Sequence, residues 1–176
     1  MSRNVQLCAA AWLLATPFLI VPAFAAGGGG GADPATTQCT KGKVWDKQQG
    51  KCVDPGQGYI DTDSVYETGR ALAEAKRYGE AITVLSIAAD RGDPRILNYL
   101  GYSHRKQGRV QVGLGYYQEA LNVDPDYTLV REYMGEAYLQ LGDVAAASGQ
   151  LLEIEKRCGR ECAEYSELSE QIAAFR

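Results

Sequence analysis

The sequence contains little of what most enzymes need for catalysis. Its 176 residues include a single histidine, His104, and the H-E-x-x-H pattern of zinc proteases is absent. No Ser-His-Asp set stands out, and no phosphate-binding loop occurs, because Gly113 and Gly115 fall inside a helical pattern. We therefore predict a protein that is not an enzyme and needs no cofactor or metal. His104 is expected to be a packed, hydrogen-bonded core residue.

An excess of positive charge is also absent. The 18 Lys and Arg residues are outnumbered by 22 Asp and Glu, so the formal net charge is -4. Proteins that bind nucleic acids present a basic surface to the phosphates. The mild acidity therefore argues against nucleic acid as a partner.

Residues 1–25 have the pattern of a secretory signal. The apolar run Leu7–Val21 follows Arg3 and is too short to span a bilayer comfortably. Ala23-Phe24-Ala25 then forms an A-x-A cleavage site. We predict that this segment is removed, which leaves a periplasmic or secreted chain that is not an integral membrane protein. An uncleaved N-terminal anchor is the alternative.

Two short segments follow the predicted signal. Residues 26–38 begin with a glycine run and are predicted to be a flexible linker. Residues 39–58 contain Cys39 and Cys52, and an exported chain favours oxidised cysteine pairs, so a disulfide-closed loop is predicted. This loop loosely resembles short cysteine-bracketed carbohydrate-binding loops, in which Trp45 at the tip would stack on a sugar ring. The simpler interpretation is that Trp45 packs against the loop's own backbone or the first repeat.

Glycines recur at a fixed spacing in the remaining chain. Gly101 is followed thirty-four residues later by Gly135, and Gly108 is followed by Gly142 at the same distance. Asp93-Pro94 supplies an N-cap and a first helical residue, and apolar residues then recur at helical spacing until Gly108. The pattern predicts helical hairpins that repeat about every thirty-four residues.

This pattern resembles the tetratricopeptide repeat over residues 62–161. That family has a large residue, Leu-Gly, a turn glycine, an aromatic residue, alanine and proline at set positions. The middle unit matches these positions with Leu97, Leu100, Gly101, Gly108, Tyr117, Ala120 and Pro125. The third unit keeps Gly135, Tyr138, Gly142 and Ala147, and the first keeps Gly69, Ala81 and Ala88.

The resemblance implies an all-α fold, a short right-handed α-solenoid with three repeats over residues 62–93, 94–127 and 128–161. A single hairpin cannot bury its apolar face, so stacked units share one core. Residues 162–176 are predicted to form an amphipathic helix that caps the array. Its apolar positions are Tyr165, Leu168, Ile172 and Phe175.

In this family the first helix of each repeat lines a concave face that binds peptides. The resemblance therefore implies an adaptor or scaffold for an unidentified protein or peptide. The simpler alternative is a solvated face that binds no ligand. The implied groove residues are Tyr66, Arg70, Arg95, Asn98, Tyr102, Arg105, Glu132 and Glu136. A glycan-binding envelope protein that acts through the Trp45 loop is the alternative from another class.

The charges within this groove suggest a ligand with two differently charged parts. Neighbouring helices stack about 10 Å apart, so Arg70, Arg95 and Arg105 are expected to converge on one patch. Guanidinium groups suit the capture of carboxylates. Glu132 and Glu136 would favour a basic residue of the same ligand.

Two further clusters have a possible chemical role. Cys158 and Cys162 flank a predicted corner and are expected to form a second disulfide, although four mature cysteines allow three pairings. A redox-active pair in a thiol oxidoreductase is the alternative. Asp54, Asp61 and Asp63 are expected to cap helices, because they lack the spacing of a calcium loop.

Overall fold

The computed structural model describes residues 39–175, so the predicted signal and linker, residues 1–38, lie outside the described part. The described residues form a two-stranded antiparallel hairpin followed by seven α-helices. The strands are β1 (Val44–Asp46) and β2 (Lys51–Val53). The helices are α1 (Thr62–Glu74), α2 (Tyr78–Leu85), α3 (Pro94–Lys106), α4 (Val110–Val123), α5 (Thr128–Gln140), α6 (Val144–Cys158) and α7 (Ala163–Phe175).

The helices pack as three consecutive hairpins, α1 with α2, α3 with α4 and α5 with α6, and α7 packs on α5 and α6. The predicted all-α solenoid of three helix-turn-helix repeats with a C-terminal helix is confirmed. One buried cluster runs from Val44 to Leu100, and a second joins Leu97 to Val130. A third joins Leu139 to α7. Each cluster takes side chains from neighbouring elements, so the hairpins stabilise one another.

Aspartates begin several of the helices, as the sequence predicted. The side chain of Asp61 accepts a hydrogen bond from the backbone N–H of Ser64 at the start of α1. Asp93 caps α3 in the same way, and Asp54 caps a short 3₁₀ helix over Pro55–Gln57. Carboxylates that satisfy free N–H groups and face the positive end of a helix are used as caps. Asp63, in contrast, pairs with Arg95.

Close helix contacts explain two of the repeated glycines. A Cβ added to Gly101 would lie 2.5 Å from Cε1 of Tyr117 and 3.0 Å from the carbonyl oxygen of Gly113. A Cβ added to Gly69 would likewise clash with the side chain of Leu85 within the first hairpin. In the third hairpin Gly135 meets Leu168 of α7 instead of a residue of α6. The C-terminal helix therefore covers the glycine that the second helix covers in the first two repeats.

The N-terminal hairpin packs on α1. Cys39 and Cys52 are joined by a disulfide with their Cα atoms 5.6 Å apart, and Val44 is fully buried against the helices. The prediction that Trp45 lies at the tip of the loop is wrong, because Trp45 belongs to β1 and is paired with Cys52. Its backbone N–H donates a 3.0 Å hydrogen bond to Oγ1 of Thr68. This contact ties the hairpin to the first repeat.

Candidate functional site

Four tyrosines form a continuous row across the first helices of the three repeats. The ring of Tyr66 on α1 lies 5.9 Å from that of Tyr99 on α3, and Tyr99 lies 6.0 Å from Tyr102. Tyr102 in turn lies 5.1 Å from Tyr133 on α5. We call these four residues the tyrosine row. Edge-on and tilted ring pairs at such separations are favourable, so the row is a preorganised aromatic surface.

The sequence analysis included only half of this row. Tyr66 and Tyr102 were among the predicted groove residues, whereas Tyr99 and Tyr133 were missed. The missed pair is separated by the repeat length of thirty-four residues, which was the available signal. Tyr99 is 7% exposed, and the other three tyrosines are half-buried, so Tyr66, Tyr102 and Tyr133 supply the accessible part of the row.

The guanidinium groups of the predicted arginine patch already have carboxylate partners within the chain. Nε of Arg70 donates a 2.8 Å hydrogen bond to Glu74 on the same helix. Nη2 of Arg95 lies 2.7 Å from carboxylate oxygens of both Asp93 and Asp63. Hydrogen bonding to Asp93 is the largest cause of the raised pKa of Arg95. The carboxylates therefore neutralise these two guanidinium groups within the fold itself.

Arg95 also takes part in the aromatic surface. Its guanidinium carbon lies 4.6 Å from the centre of the Tyr66 ring, at one end of the tyrosine row. A cation over a ring face gains electrostatic attraction from the ring quadrupole. The guanidinium thus holds Tyr66 in place and borders the row.

Arg105 is not a groove contact but a buried charge. Its side chain is 0% exposed, and its Nη2 lies 2.6 Å from Oε2 of Glu136. Its Nε donates a 3.2 Å hydrogen bond to the hydroxyl of Tyr117. Burial opposes the charged form, but Tyr117 and Glu136 outweigh it and raise the pKa of Arg105. The two predicted ligand residues Arg105 and Glu136 therefore neutralise each other across α3 and α5.

Asn98 is likewise buried, with 0% exposure. Among the described residues, neither amide atom of Asn98 has a hydrogen-bond partner with good geometry, although an interaction between the Tyr127 hydroxyl and Asn98 lowers the pKa of Tyr127. Burial is the largest cause that raises the pKa of Tyr127, to about 12. Asn98 therefore belongs to the packed interior and not to an open groove surface.

Glu132 is a buried carboxyl group between α5 and α7, and it is only 2% exposed. Burial, followed by the charge of Glu167 on α7 and then that of Glu136, raises the pKa of Glu132 to about 8. The raised pKa favours the neutral form of Glu132, so this residue is a weaker source of negative charge than the sequence analysis assumed.

A separate cavity lies where the C-terminal ends of α3, α5 and α7 meet. It has a volume of about 550 Å³, with Glu136 on its wall. Oε1 of Glu136 accepts a 3.0 Å hydrogen bond from Nε2 of Gln171. The other lining residues are Lys106, Leu139, Gln140, Ala174 and Phe175. Phe175, expected on the buried face of its helix, is 49% exposed here.

A second cavity, of about 330 Å³, lies beside the N-terminal hairpin. Tyr59 stands on its rim with 85% exposure, and the guanidinium of Arg91 lies 5.4 Å from its ring centre. Lys43, Asp46 and Lys51 supply polar groups to the wall. Trp45 does not line this cavity, so the aromatic residue at this site is a different one from that predicted.

No histidine-containing metal cluster occurs among residues 39–175. His104 stacks on Tyr116 with ring centres 5.4 Å apart, and burial, followed by the charge of Arg109, lowers its pKa. Its Nδ1 has no hydrogen-bond partner among the described residues, so His104 is packed but not bonded as expected. Sγ atoms of Cys158 and Cys162 and a carboxylate oxygen of Glu164 lie within 4.8 Å of one another, but the two sulfurs are joined in a disulfide.

A further property of the described helices is whether they could span a membrane. Within residues 39–175, none of them combines the length and the apolar character needed to cross a bilayer.

Comparison with known proteins identifies the repeat. Residues 99–160 match the family profile described as "Tetratricopeptide repeat". The Yersinia enterocolitica type III secretion chaperone SycD in complex with a peptide of the translocator YopD is 20% identical, with 64% of this chain and 87% of that chain covered and a TM-score of 0.55. No curated protein sequence matches the chain at a significant level.

Two eukaryotic structures are similar to the same extent. The Sgt2 TPR domain from Aspergillus fumigatus is 18% identical, covers 66% of this chain and 79% of its own, and has a TM-score of 0.59. The first TPR of Spaghetti (RPAP3) bound to the HSP90 peptide SRMEEVD is 17% identical over 69% of this chain and 94% of its own, with a TM-score of 0.57. At these identities the likeness concerns the fold.

Proposed function

We propose that this chain, whose residues 99–160 match the tetratricopeptide-repeat profile, is a non-catalytic adaptor that binds a segment of another protein along α1, α3 and α5. The observation that carries the proposal is the tyrosine row, which crosses all three repeats at ring separations of 5.1 to 6.0 Å. Two structures of similar fold hold a peptide, one of the translocator YopD and one of HSP90. A solenoid offers an extended surface of this kind.

The surface favours an extended segment with aromatic, aliphatic or proline side chains. Tyrosine presents a large apolar body together with a hydroxyl group, and it loses little conformational entropy when a ligand binds. Aromatic grooves also suit proline-rich segments, which are already extended. Because Arg70 and Arg95 are engaged by carboxylates, the proposal no longer requires an acidic ligand.

We further propose that the adaptor works outside the cytoplasm, in the bacterial periplasm. The A-x-A site that ends at Ala25 supports export. Two short-range cysteine pairs suit an oxidising compartment.

Photo-crosslinking tests the binding surface without removing any aromatic packing. A benzoylphenylalanine residue placed at Tyr102 or at Tyr133 should yield adducts with one protein or peptide in the native envelope. The matched control carries the same group at Val112, an exposed position on α4 that is outside the tyrosine row. Equal adducts at Val112 and at the tyrosine row would place binding elsewhere.

A glycan-binding role at the N-terminal hairpin is the second candidate. The exposed ring of Tyr59 beside a polar cavity of about 330 Å³ favours it, since sugar rings stack on exposed aromatic residues and bond polar rims. Pull-down on cell-envelope polysaccharide should then fall with Tyr59→Ala and persist with Trp45→Phe. Equal retention of all three proteins would exclude this role.

A further inference from the structure

The last two helices leave a groove on the outer end of the solenoid, away from the tyrosine row. This groove, which we call the terminal groove, has a volume of about 400 Å³ and is lined by residues of α6, α7 and the corner between them. Leu151 and Ile172 form part of its floor. Among residues 39–175 no further helix lines the terminal groove.

The terminal groove has a protruding side chain, the ridge, beside the hollow between the two helices, the recess. Leu152 stands at its edge and is 57% exposed. Ser169 and Ala173 lie on the facing side of α7, one helical turn apart. Small residues at that spacing let another helix approach closely. A helix with one protruding leucine therefore fits the recess.

The rim of the terminal groove carries both signs of charge. Arg160 and Glu155 line it together, with Nε of Arg160 2.7 Å from Oε1 of Glu155. The arginine side chain is 68% exposed and the glutamate side chain 32% exposed. Both groups are therefore accessible to a partner that presents the opposite arrangement.

We propose that the terminal groove is a self-association surface, through which two copies of this chain pair about a two-fold axis. A two-fold contact uses the same patch on both copies, so the patch must complement itself. The terminal groove meets this requirement because it holds the ridge and the recess, and the cation and the anion, within one patch. Leu152 of each copy enters the recess of the other, and each Arg160 faces Glu155 of its partner.

This arrangement leaves the tyrosine row accessible in both copies, because the row lies on α1, α3 and α5. The dimer would present two such surfaces at a set separation, and a ligand with two matching segments would bind more tightly than one segment alone. The self-association proposal does not depend on the identity of that ligand.

Sedimentation velocity on the purified exported chain with intact disulfides tests the contact. The wild-type protein should show a concentration-dependent monomer–dimer equilibrium. Leu152→Glu should raise the dissociation constant by about tenfold or more, since a charge would enter an apolar recess. The matched control is Val112→Glu, which alters an apolar side chain of α4 that is 45% exposed and should change nothing.

A charge-exchange experiment separates contact between copies from contact within one chain. Glu155→Arg and Arg160→Glu should each weaken self-association, because like charges would face each other at both ends of the two-fold contact. An equimolar mixture of the two variants should associate at least as well as the wild type, since every pair across the interface is then complementary. An intrachain ion pair alone would remain broken in both variants and predicts no such recovery.

The alternatives give distinct results. A wild-type protein that stays monomeric at every concentration overturns the proposal. Dimerisation that survives Leu152→Glu and falls with Val112→Glu moves the contact to α4 and overturns it as well. A groove that serves a helix of another protein would leave the chain monomeric and would not produce recovery in the mixed variants.

Discussion

Nη2 of Arg105 lies 2.6 Å from Oε2 of Glu136, and this pair joins the second repeat to the third inside the solenoid. The sequence analysis assigned both residues to ligand binding. In the structure the guanidinium is fully buried and also bonds Tyr117, so the pair belongs to the packing of α3 against α5. A repeat position that the resemblance assigned to the groove is thus used for the core in this chain.

Charge reversal at Arg105 should therefore destabilise the fold and not merely weaken binding. Arg105→Glu would place a second buried carboxylate beside Glu136, and removing a partner from a buried pair costs about 3–5 kcal/mol. Urea unfolding followed by circular dichroism measures this loss. Arg109→Glu, at an exposed arginine of the following turn, is the matched control and should change stability little. Equal stability of Arg105→Glu and wild type would contradict the buried pair.

Gly101 should not tolerate a side chain. Gly101→Ala would bring a Cβ within 2.5 Å of the Tyr117 ring and 3.0 Å of a backbone oxygen, so α3 and α4 would have to separate. We expect a loss of about 1–3 kcal/mol. Gly115→Ala on the same hairpin meets no atom within 4 Å and should stabilise α4 by about 0.5–1 kcal/mol. Opposite signs in the two melting temperatures check the close contact, and two losses would argue against it.

Stability should fall as the pH rises through the titration range of Glu132. The folded-state pKa of about 8 lies above the unfolded value of 4.5, so the unfolded chain releases this proton at lower pH. The contribution of the protonated group is complete below about pH 4.5 and is lost progressively up to about pH 8. Thermal melts between pH 5 and pH 9 measure the slope.

The variant Glu132→Gln should flatten this part of the pH profile and melt higher than the wild type at pH 8. The amide keeps the shape of the carboxyl group but cannot ionise beside Glu167. Glu119→Gln, at an exposed glutamate of α4, should leave the slope unchanged. An identical slope in wild type and Glu132→Gln would show that other groups cause the pH dependence.

Export should remove residues 1–25, because a short apolar run precedes Ala23-Phe24-Ala25. The intact mass of protein from the periplasmic fraction checks the cleavage position. Recovery of full-length chain from the membrane fraction would support the alternative of an uncleaved anchor.

The exported protein should contain no free thiol. Cys158 and Cys162 are joined across the corner between α6 and α7, as Cys39 and Cys52 are in the hairpin. Peptide mapping without reduction should recover these two linked pairs. Rapid labelling of the native protein by a thiol reagent would contradict this pairing, and turnover of insulin disulfides would favour the oxidoreductase alternative.

The sequence alone determined the fold class of this protein. The thirty-four-residue spacing of Gly101 and Gly135 and the Asp93-Pro94 start are local signals, and a repeated hairpin has few ways to stack. Capping by Asp61 was predictable for the same reason, because a cap depends on residues within one turn.

Only the tertiary structure decided which of the predicted groove residues are accessible. Whether Arg105 and Glu132 are accessible depends on how far α5 and α7 approach α3, which no single helix pattern contains. The tyrosine row became visible when three helices were placed side by side, although Tyr99 and Tyr133 share one repeat position. Formal charge alone was also a poor guide to the groove residues. A buried cation is stable only when a carboxylate lies beside it, so its charge is not available to a ligand.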